Sequence, residues 1–212
     1  MNVNSPARFI TLEGGEGAGK STHSQRLSQA LAAHGIENIV TREPGGSEGA
    51  ESIRKLLVEG EPGRWDSLVE TLLMFAARAD HVGRTIRPAL DAGKWVICDR
   101  FTDSTFAYQG AGRGIDPDTI REIEQVSIGG FRPALTLILD VPVDEAMARI
   151  GSRHHAEDRF EKFDRAFHER LRNYFQKLAK CDPQRCVLID TTAPPEEVAQ
   201  QVWSAVVARF KL

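Results

Sequence analysis

The sequence has few of the residues and runs that mark secreted, membrane or nucleic-acid-binding proteins. Its 212 residues include three cysteines, Cys98, Cys181 and Cys186, and this odd, irregularly spaced set predicts neither a disulfide framework nor a zinc site. No stretch approaches the roughly 18 apolar residues of a membrane span, and the polar N-terminus lacks the apolar core of a signal peptide. The net charge of −3 provides no overall basic field. These absences predict a cytoplasmic protein that binds neither membrane nor nucleic acid.

The sequence does contain a regular alternation of short apolar runs and amphipathic segments. Its length fits one domain with a substantial core. Helical spacing of apolar residues follows the runs, and it includes one long helix over about 67–90 in which Pro88 predicts a kink or an early stop. The alternation predicts an α/β fold, a doubly wound five-stranded parallel sheet flanked by helices. The predicted strands are residues 9–12, 38–41, 95–98, 135–139 and 186–189.

A phosphate-loop pattern, Gly-x4-Gly-Lys-Ser, lies between the first predicted strand and the first predicted helix. Its glycines allow a tight turn whose backbone N–H groups form an anion cradle, and the following helix adds the positive end of its dipole. Lys20 would reach the β- and γ-phosphates of a nucleotide, and Ser21 would offer its hydroxyl to Mg²⁺. A glycine-rich turn that binds nothing is the alternative, but the strand before and the helix after favour a nucleoside-triphosphate site. The loop consists of Gly14, Gly15, Glu16, Gly17, Ala18, Gly19, Lys20 and Ser21.

Asp99 ends the third apolar run, where a phosphate-loop enzyme often places the acidic group that holds Mg²⁺. An Asp that caps the next segment is the alternative. Arginines near the same predicted sheet edge would neutralise the charge of phosphates. They are Arg42, Arg78, Arg100, Arg149, Arg153 and Arg159, and each taken alone is more often a solvated surface residue.

The polar segment at about 150–161 has the composition of a mobile lid that would bring an arginine to the transferred phosphoryl group. An exposed connection between helices is the alternative, and the phosphate loop elsewhere in the chain favours the lid. Phe75 and Arg78 lie one helical turn apart and could present a ring to a base and a cation to a phosphate. Spacing alone would leave Phe75 in the core.

Five motifs together resemble bacterial thymidylate kinase, a member of the phosphate-loop nucleoside monophosphate kinase superfamily. They are residues 12–14 with the phosphate loop, residues 42–46, 99–101 and 108–110, and residues 158–161. The resemblance runs nearly end to end. It implies transfer of the ATP γ-phosphate to dTMP with Mg²⁺, giving dTDP for dTTP and DNA synthesis. It also implies a single kinase domain that forms a homodimer through its long helices.

The resemblance further implies roles for individual residues. The phosphate loop would hold the ATP phosphates, and Lys20, Asp99 and Arg100 would take part in catalysis. The loop contains no arginine, so the catalytic arginine would come from the lid, with Arg153 as the leading candidate and Arg149 as the reserve.

The same resemblance assigns the acceptor side of the site. Glu16 would approach the sugar, Tyr108 would lie under the deoxyribose and disfavour a ribose 2′-hydroxyl, and Gln109 with Thr105 or Ser104 would sit near the thymine edge. The acceptor phosphate would be addressed by Arg42, Arg78 and Arg100.

One spacing departs from the family pattern. The base-stacking Phe is often four residues before the Arg, whereas here Phe75 is three residues before Arg78 and Met74 is four before it. Both spacings lie on one helix face, and we predict Phe75 as the stacking residue.

Two other kinds of function remain open at this level. A kinase of the same fold could act on another nucleoside monophosphate. A phosphate-loop switch is the second alternative, although the sequence has no guanine-reading Asn-Lys-x-Asp segment. A catalytically silent binding module is not supported, because Lys20, Ser21, Asp99 and Arg100 are all present.

Overall fold

The computed structural model describes residues 8–61, 63–151 and 159–212. Strands and helices alternate along these residues, as the apolar runs predict. The strands are β1 (Phe9–Glu13), β2 (Asn38–Arg42), β3 (Trp95–Asp99), β4 (Leu135–Asp140) and β5 (Cys186–Asp190). The α-helices are α1 (Lys20–Ala33), α2 (Glu48–Val58), α3 (Ser67–His81), α4 (Arg87–Asp91), α5 (Thr102–Thr105), α6 (Pro117–Ile128), α7 (Val143–Gly151), α8 (Arg165–Cys181) and α9 (Pro195–Phe210). The described residues also form two π-helical segments, Val82–Ile86 and Phe106–Gly112, and a 3₁₀ turn, Arg159–Lys162.

The five strands form one parallel sheet in the order β2-β3-β1-β4-β5, which confirms the predicted fold class. All residues of β1 are buried, as are all of β4 but its last, because helices cover both faces of the sheet. Ile97 packs with α1 and α9 on one face, whereas its neighbours Val96 and Cys98 pack on the opposite face. Cys98 is therefore a core residue, and all three cysteines are free.

The predicted long helix is present, but its interruption differs from the one expected at Pro88. Helix α3 passes into the π-helical segment Val82–Ile86 and then into α4 without a break in the chain's helical course. Pro88 lies in the first turn of α4, directly after the π-helical segment, and it has no backbone N–H to donate to the preceding turn. The helix type therefore changes before the proline rather than at it.

Strand pairing brings the chemistry-bearing segments to one edge of the sheet. Strand β1 pairs in parallel with β3, with Leu12 opposite Asp99. The phosphate loop that follows β1 and the turn that follows β3 therefore emerge side by side at the carboxyl edge, where ligands bind in open parallel sheets. Among the residues described, no helix is both long and apolar enough to cross a bilayer.

Candidate active site

The phosphate loop folds tightly because its glycines adopt backbone angles that other residues rarely reach. Gly14 has φ of 133° and Gly17 has φ of 72°. A Cβ at Gly14 would lie 2.3 Å from the backbone oxygen of Leu139, and one at Gly17 would lie 2.5 Å from that of Ala146. The loop is thus pressed against β4 and α7, and only glycine fits at these two positions.

Lys20 lies inside this loop and is largely buried. Its Nζ donates hydrogen bonds to the backbone oxygens of Gly15, at 2.7 Å, and Gly14, at 3.3 Å. Burial, followed by the nearby Arg100, lowers the pKa of Lys20 from its ordinary value. The ammonium is therefore removed from water and held by two backbone carbonyls, and anionic oxygens at the loop would stabilise its charge.

Ser21 and Asp99 form the acidic, hydroxyl-bearing side of the loop. The Oγ of Ser21 donates to Oδ2 of Asp99 at 2.7 Å. A hydroxyl and a carboxylate suit Mg²⁺, which prefers oxygen ligands and takes several of them from phosphates. In the described part of the chain, no cluster of three or more His, Cys, Asp or Glu residues could hold a metal. The donor set therefore fits a metal shared with a nucleotide rather than a closed protein cage.

Arg100 connects the loop to the rest of the cleft. It has φ of 70°, and its guanidinium donates to Oε1 of Glu16 at 2.6 Å and to the backbone oxygen of Gly14 at 2.9 Å. Tyr108 donates to the same Glu16 oxygen at 2.8 Å, and its ring lies 4.9 Å from the guanidinium carbon. Burial alone would raise the pKa of Glu16, but Arg100 and Lys20 lower it to about 2.

Glu13 fixes the turn that carries Arg100. Its Oε1 accepts from the backbone N–H of Phe101 at 2.8 Å, and its Oε2 lies 2.5 Å from Oγ of Ser104. Complete burial, reinforced by the charge of Asp103, raises the pKa of Glu13 to about 8. This side chain ties the end of β1 to the segment after β3, so it holds Arg100 against the loop.

Arg78 lies deeper in the cleft, in a buried ion pair. Its Nε donates to Oε2 of Glu43 at 2.7 Å, and its Nη2 donates to the backbone oxygen of Phe101 at 3.1 Å. Nδ1 of His81 lies 2.9 Å from the other Glu43 oxygen. The Nη1 of Arg78 is buried and has no hydrogen-bond partner among the described residues. A buried unsatisfied donor is costly, and this one belongs to a residue that lines the cleft.

Arg42 differs from Arg78 in its surroundings. It also lines the cleft, but its side chain is about half exposed and pairs with Glu51 at 3.0 Å. Such a pair is weak and easily exchanged, so Arg42 can turn to a ligand at little cost.

The prediction that Phe75 faces the cleft does not agree with its position. Phe75 is 1% exposed, packs with Phe106 and Ile120, and has its ring centroid 4.7 Å from the guanidinium carbon of Arg78, but it does not line the cleft. Met74 lines the cleft instead. A spacing of three or four residues permits either side chain to share a face with Arg78, and the apolar pocket made by Phe106 and Ile120 takes the larger ring.

Most of the remaining predicted residues line one cleft of about 470 Å³, whereas Gly14, Gly15 and Ala18 of the phosphate loop do not. Phe160, which lies near the end of the predicted lid, also lines the cleft and meets the ring of Tyr108 edge-on at 5.5 Å. The predicted residues that line the cleft are Glu16, Gly17, Gly19, Lys20, Ser21, Arg42, Arg78, Asp99, Arg100, Ser104, Thr105, Tyr108 and Gln109.

The three arginines predicted at the lid differ in their positions and partners. Arg153 lies outside the described residues. Arg149 donates to the backbone oxygens of Thr191, at 2.7 Å, and of Gly17 in the phosphate loop, at 3.5 Å. Arg159 is completely buried and bonds to Glu70 and to the backbone oxygen of Leu57. Arg159 thus has a structural position and does not itself line the cleft.

The sequence matches the family described as "Thymidylate kinase" over residues 12–202. The thymidylate kinase of Rhizorhabdus wittichii is 50% identical over 201 residues, which cover 94% of this chain and 97% of that protein. Those of Bradyrhizobium sp. strain BTAi1 and Caulobacter vibrioides are each 51% identical, over 96% of this chain and 91% and 98% of theirs. The chain belongs to the thymidylate kinase family. It is therefore a nucleotide kinase, as the resemblance of the five motifs implies.

Three residues that help to build this kinase's cleft escaped the sequence reasoning. Met74 was noted only as an alternative, and Glu43 and Glu70 received no role. Glu70, Met74 and Arg78 are spaced by four residues and share one face of α3. The sequence signal that indicates Glu70 is an acidic residue on the same face of α3 as Met74 and Arg78.

Proposed function

We propose that this protein transfers the γ-phosphate of ATP to dTMP and so forms dTDP and ADP. The single observation that carries the proposal is the composition of one cleft, which has a phosphate loop at one end and Met74, Arg78 and Gln109 at the other. Membership of the thymidylate kinase family supports dTMP as the acceptor. In the reaction, an oxygen of the dTMP phosphate attacks the γ-phosphorus, and the bond to the bridging oxygen of ADP breaks.

The phosphate loop holds the donor. Its backbone N–H groups and the N-terminus of α1 bind the phosphates, and Lys20 moves from the loop carbonyls to the β- and γ-oxygens. Ser21 and Asp99 would hold Mg²⁺, which would neutralise charge on the transferred group when bound.

The Glu16–Arg100 pair lies where donor and acceptor meet. The guanidinium of Arg100 already bonds to the phosphate loop, and Arg42 forms an exposed ion pair with Glu51 that a ligand can replace. These two arginines bind the acceptor phosphate. Because Arg100 is anchored by Glu16, it stays in place before substrate arrives, which reduces the reorganisation needed in the transition state.

The base end of the cleft, formed by Met74, Arg78 and Gln109, recognises thymine through a thioether and buried polar groups. Met74 takes the stacking role that we predicted for Phe75, and its flexible thioether can pack on a flat ring. The charge of Arg78 is already balanced by Glu43. The Nη1 of Arg78, which has no hydrogen-bond partner among the described residues, therefore suits a neutral base carbonyl better than the dianionic phosphate that the sequence analysis assigns to it. Gln109, with Ser104 or Thr105, reads the base edge, and Tyr108 and Glu16 lie at the sugar.

Arg153 supplies the catalytic arginine in this proposal, because the phosphate loop has none. Arg153→Ala should lower kcat by about 10³-fold, the scale of an arginine that acts on a transferred phosphoryl group, while the KM for dTMP changes little. Arg149→Ala is the matched control and should have the smaller effect on kcat. If Arg149→Ala had the larger effect, the catalytic role would belong to Arg149.

The proposal includes a homodimer and a cytoplasmic location. Apolar side chains of α3 and α6 are exposed around a surface groove of about 360 Å³; Leu72 is 49% exposed and Val126 is 91% exposed. Exposed apolar patches of this kind are typical of interaction sites. Light scattering at several concentrations should give twice the 23.5 kDa chain mass, and Val126→Asp should shift it toward the monomer.

The test of the proposed function is ADP release from Mg²⁺-ATP, measured in a coupled assay with and without dTMP. We expect release to depend on dTMP. Turnover that is equally fast without an acceptor would favour a nucleotide switch. A panel of monophosphates in the same assay separates the other alternative, because a clear preference for a purine monophosphate or dCMP would indicate a kinase for that nucleotide.

A further inference from the structure

Glu70 is a completely buried carboxylate of α3 that lies behind Gln109, a residue that lines the cleft. Its Oε1 accepts from the amide Nε2 of Gln109 at 2.9 Å. Its Oε2 faces two guanidinium groups, that of Arg113, with its Nη1 at 2.7 Å, and that of Arg159. None of these contacts belongs to the phosphate-binding part of the site.

The two arginines are themselves fixed. Arg113 donates to the backbone oxygen of Trp65 at 2.9 Å, and Arg159 donates to that of Leu57 at 3.0 Å. Truncating one partner of such a buried charge cluster leaves an uncompensated charge. Both arginines therefore balance the charge of Glu70 and fix its carboxylate in one position.

The charge of Glu70 decides which way the amide of Gln109 points. An ionised carboxylate only accepts hydrogen bonds, whereas an amide has a donor end and an acceptor end. The NH₂ end of Gln109 must face Glu70, so its carbonyl oxygen faces away. Gln109 is 1% exposed and lines the cleft, and within the described ranges no hydrogen bond to its Oε1 is formed.

We infer that Glu70 is a positioning residue, which locks the Gln109 amide with its carbonyl oxygen toward the base so that the enzyme selects a pyrimidine carrying an N3–H donor. This inference rests on the proposed function, because it requires the acceptor base to lie at Gln109. Thymine and uracil carry a proton on N3, whereas N3 of cytosine is an acceptor. The locked carbonyl therefore bonds to N3–H of thymine and opposes the lone pair of cytosine.

The arrangement has an energetic consequence for specificity. If the amide could rotate, its NH₂ end would serve cytosine about as well as its oxygen serves thymine, and Gln109 would discriminate little. Rotation in the wild-type protein would place the amide oxygen against the Glu70 carboxylate and leave that buried oxygen without a donor. Discrimination between thymine and cytosine thus depends on the hydrogen bond between Glu70 and Gln109, although Glu70 does not touch the substrate.

Glu70→Gln tests the inference, because an amide at position 70 can pair with Gln109 in either orientation. The readout is the ratio of kcat/KM for dTMP to kcat/KM for dCMP. We expect this ratio to fall about tenfold or more, the scale of one buried polar group left unpaired in the wrong complex. A role in structure alone would lower both values together and leave the ratio unchanged.

Two further variants show through which residue Glu70 acts. In a Gln109→Leu background, Glu70→Gln should change the ratio no further, since the pair shares one effect. Glu124→Gln is the matched control: Glu124 is buried and pairs with Arg132 at 2.6 Å, but it does not line the cleft. It should leave the ratio at the wild-type value even if it lowers the melting temperature.

Glu70→Asp covers the case in which Glu70→Gln fails to fold. It keeps the negative charge between the two arginines but withdraws the carboxylate from Gln109, and it should shift the ratio in the same direction by a smaller factor. A ratio unchanged in both variants would overturn the inference. If Gln109→Leu alone left the ratio unchanged, the base-reading part of the proposed function would fail instead.

Discussion

The two ends of the cleft are built in different ways. The phosphate end uses backbone groups and residues that are close together in sequence, from Gly14 to Ser21, joined by Asp99 and Arg100 from the neighbouring strand end. The base end uses side chains from α3 and the π-helical segment Phe106–Gly112. Two buried carboxylates, Glu43 and Glu70, hold those side chains in place.

This difference matches what each end has to recognise. Phosphate groups are alike in all nucleotides, so a cradle of N–H groups and cations suffices. A base is distinguished by a few donors and acceptors on its edge, and reading them requires side chains that cannot rotate. The buried partners of Arg78 and Gln109 supply that rigidity.

Substitution at the phosphate end should give the largest effect and should separate the two ends most clearly. Lys20→Met removes the cation nearest the transferred group, and kcat should fall by about 10²- to 10³-fold, as for other preorganised charge stabilisers. Titration calorimetry should give an almost unchanged Kd for dTMP, because the base end is intact. A large loss of dTMP affinity would mean that the two ends do not act separately.

Substitution at the base end should mainly affect binding. Arg78→Lys keeps a positive charge beside Glu43, but a compact ammonium cannot span the Glu43 carboxylate, the Phe101 oxygen and the base as the planar guanidinium does. The KM for dTMP should rise about tenfold while kcat stays within about threefold, as expected when uniform binding is lost. Thermal melting provides the control for folding. A loss in kcat with KM unchanged would instead support the phosphate as the partner of Arg78.

The two carboxylates of the phosphate end should respond to pH in opposite directions. Glu13 has its pKa raised to about 8, so its stabilising contribution is complete below its unfolded value near 4.5 and is lost as the pH rises toward 8. The free energy of unfolding of the wild type should therefore decline across that window, with a slope of up to about 1.4 kcal/mol per pH unit from this group. Denaturant melts of Glu13→Gln should show a shallower decline.

Glu16 provides the contrasting case. Its pKa is lowered to about 2, so its contribution is present above about 4.5 and is lost as the pH falls toward 2. Glu16→Gln should remove part of the acid instability and leave the window from pH 5 to 8 unaffected. If the free energy of unfolding changed with pH at the same slope in the wild type, Glu13→Gln and Glu16→Gln, these two carboxylates would not govern the pH dependence of stability.

The smallest effect is expected at the apolar part of the base end. Met74→Phe replaces a flexible thioether with a ring that can also stack, and kcat/KM for dTMP should change by no more than about threefold, whereas Met74→Ala should lower it further by removing the contact. Phe75→Leu is the comparison at the buried neighbour, which packs beside Arg78 without lining the cleft, and it should lower the melting temperature while changing KM less than Met74→Ala does. A larger effect on KM from Phe75→Leu than from Met74→Ala would restore Phe75 as the base platform.

Sequence reasoning succeeded where geometry is local. The phosphate-loop pattern fixes its own backbone, and parallel pairing of β1 with β3 brings Asp99 and Arg100 beside it. Lys20, Ser21, Asp99 and Arg100 therefore line one cleft. The fold class followed from the apolar runs for the same reason.

It failed where a residue's role depends on a distant partner. Helical spacing allowed either Met74 or Phe75 to face the cleft, and the pocket of Phe106 and Ile120 decided between them. Arg159 was expected near the lid's functional face, but a buried Glu70, 89 positions away in sequence, holds it in the interior. No local pattern contains such pairings.

The most direct test of the account is the ratio of kcat/KM for dTMP to that for dCMP in the wild-type protein with Mg²⁺-ATP. A base end built from fixed polar groups should give a ratio of at least about 10³, because such a site rejects a base that leaves its buried groups unpaired. A ratio near one, or faster turnover with a purine monophosphate, would contradict the account.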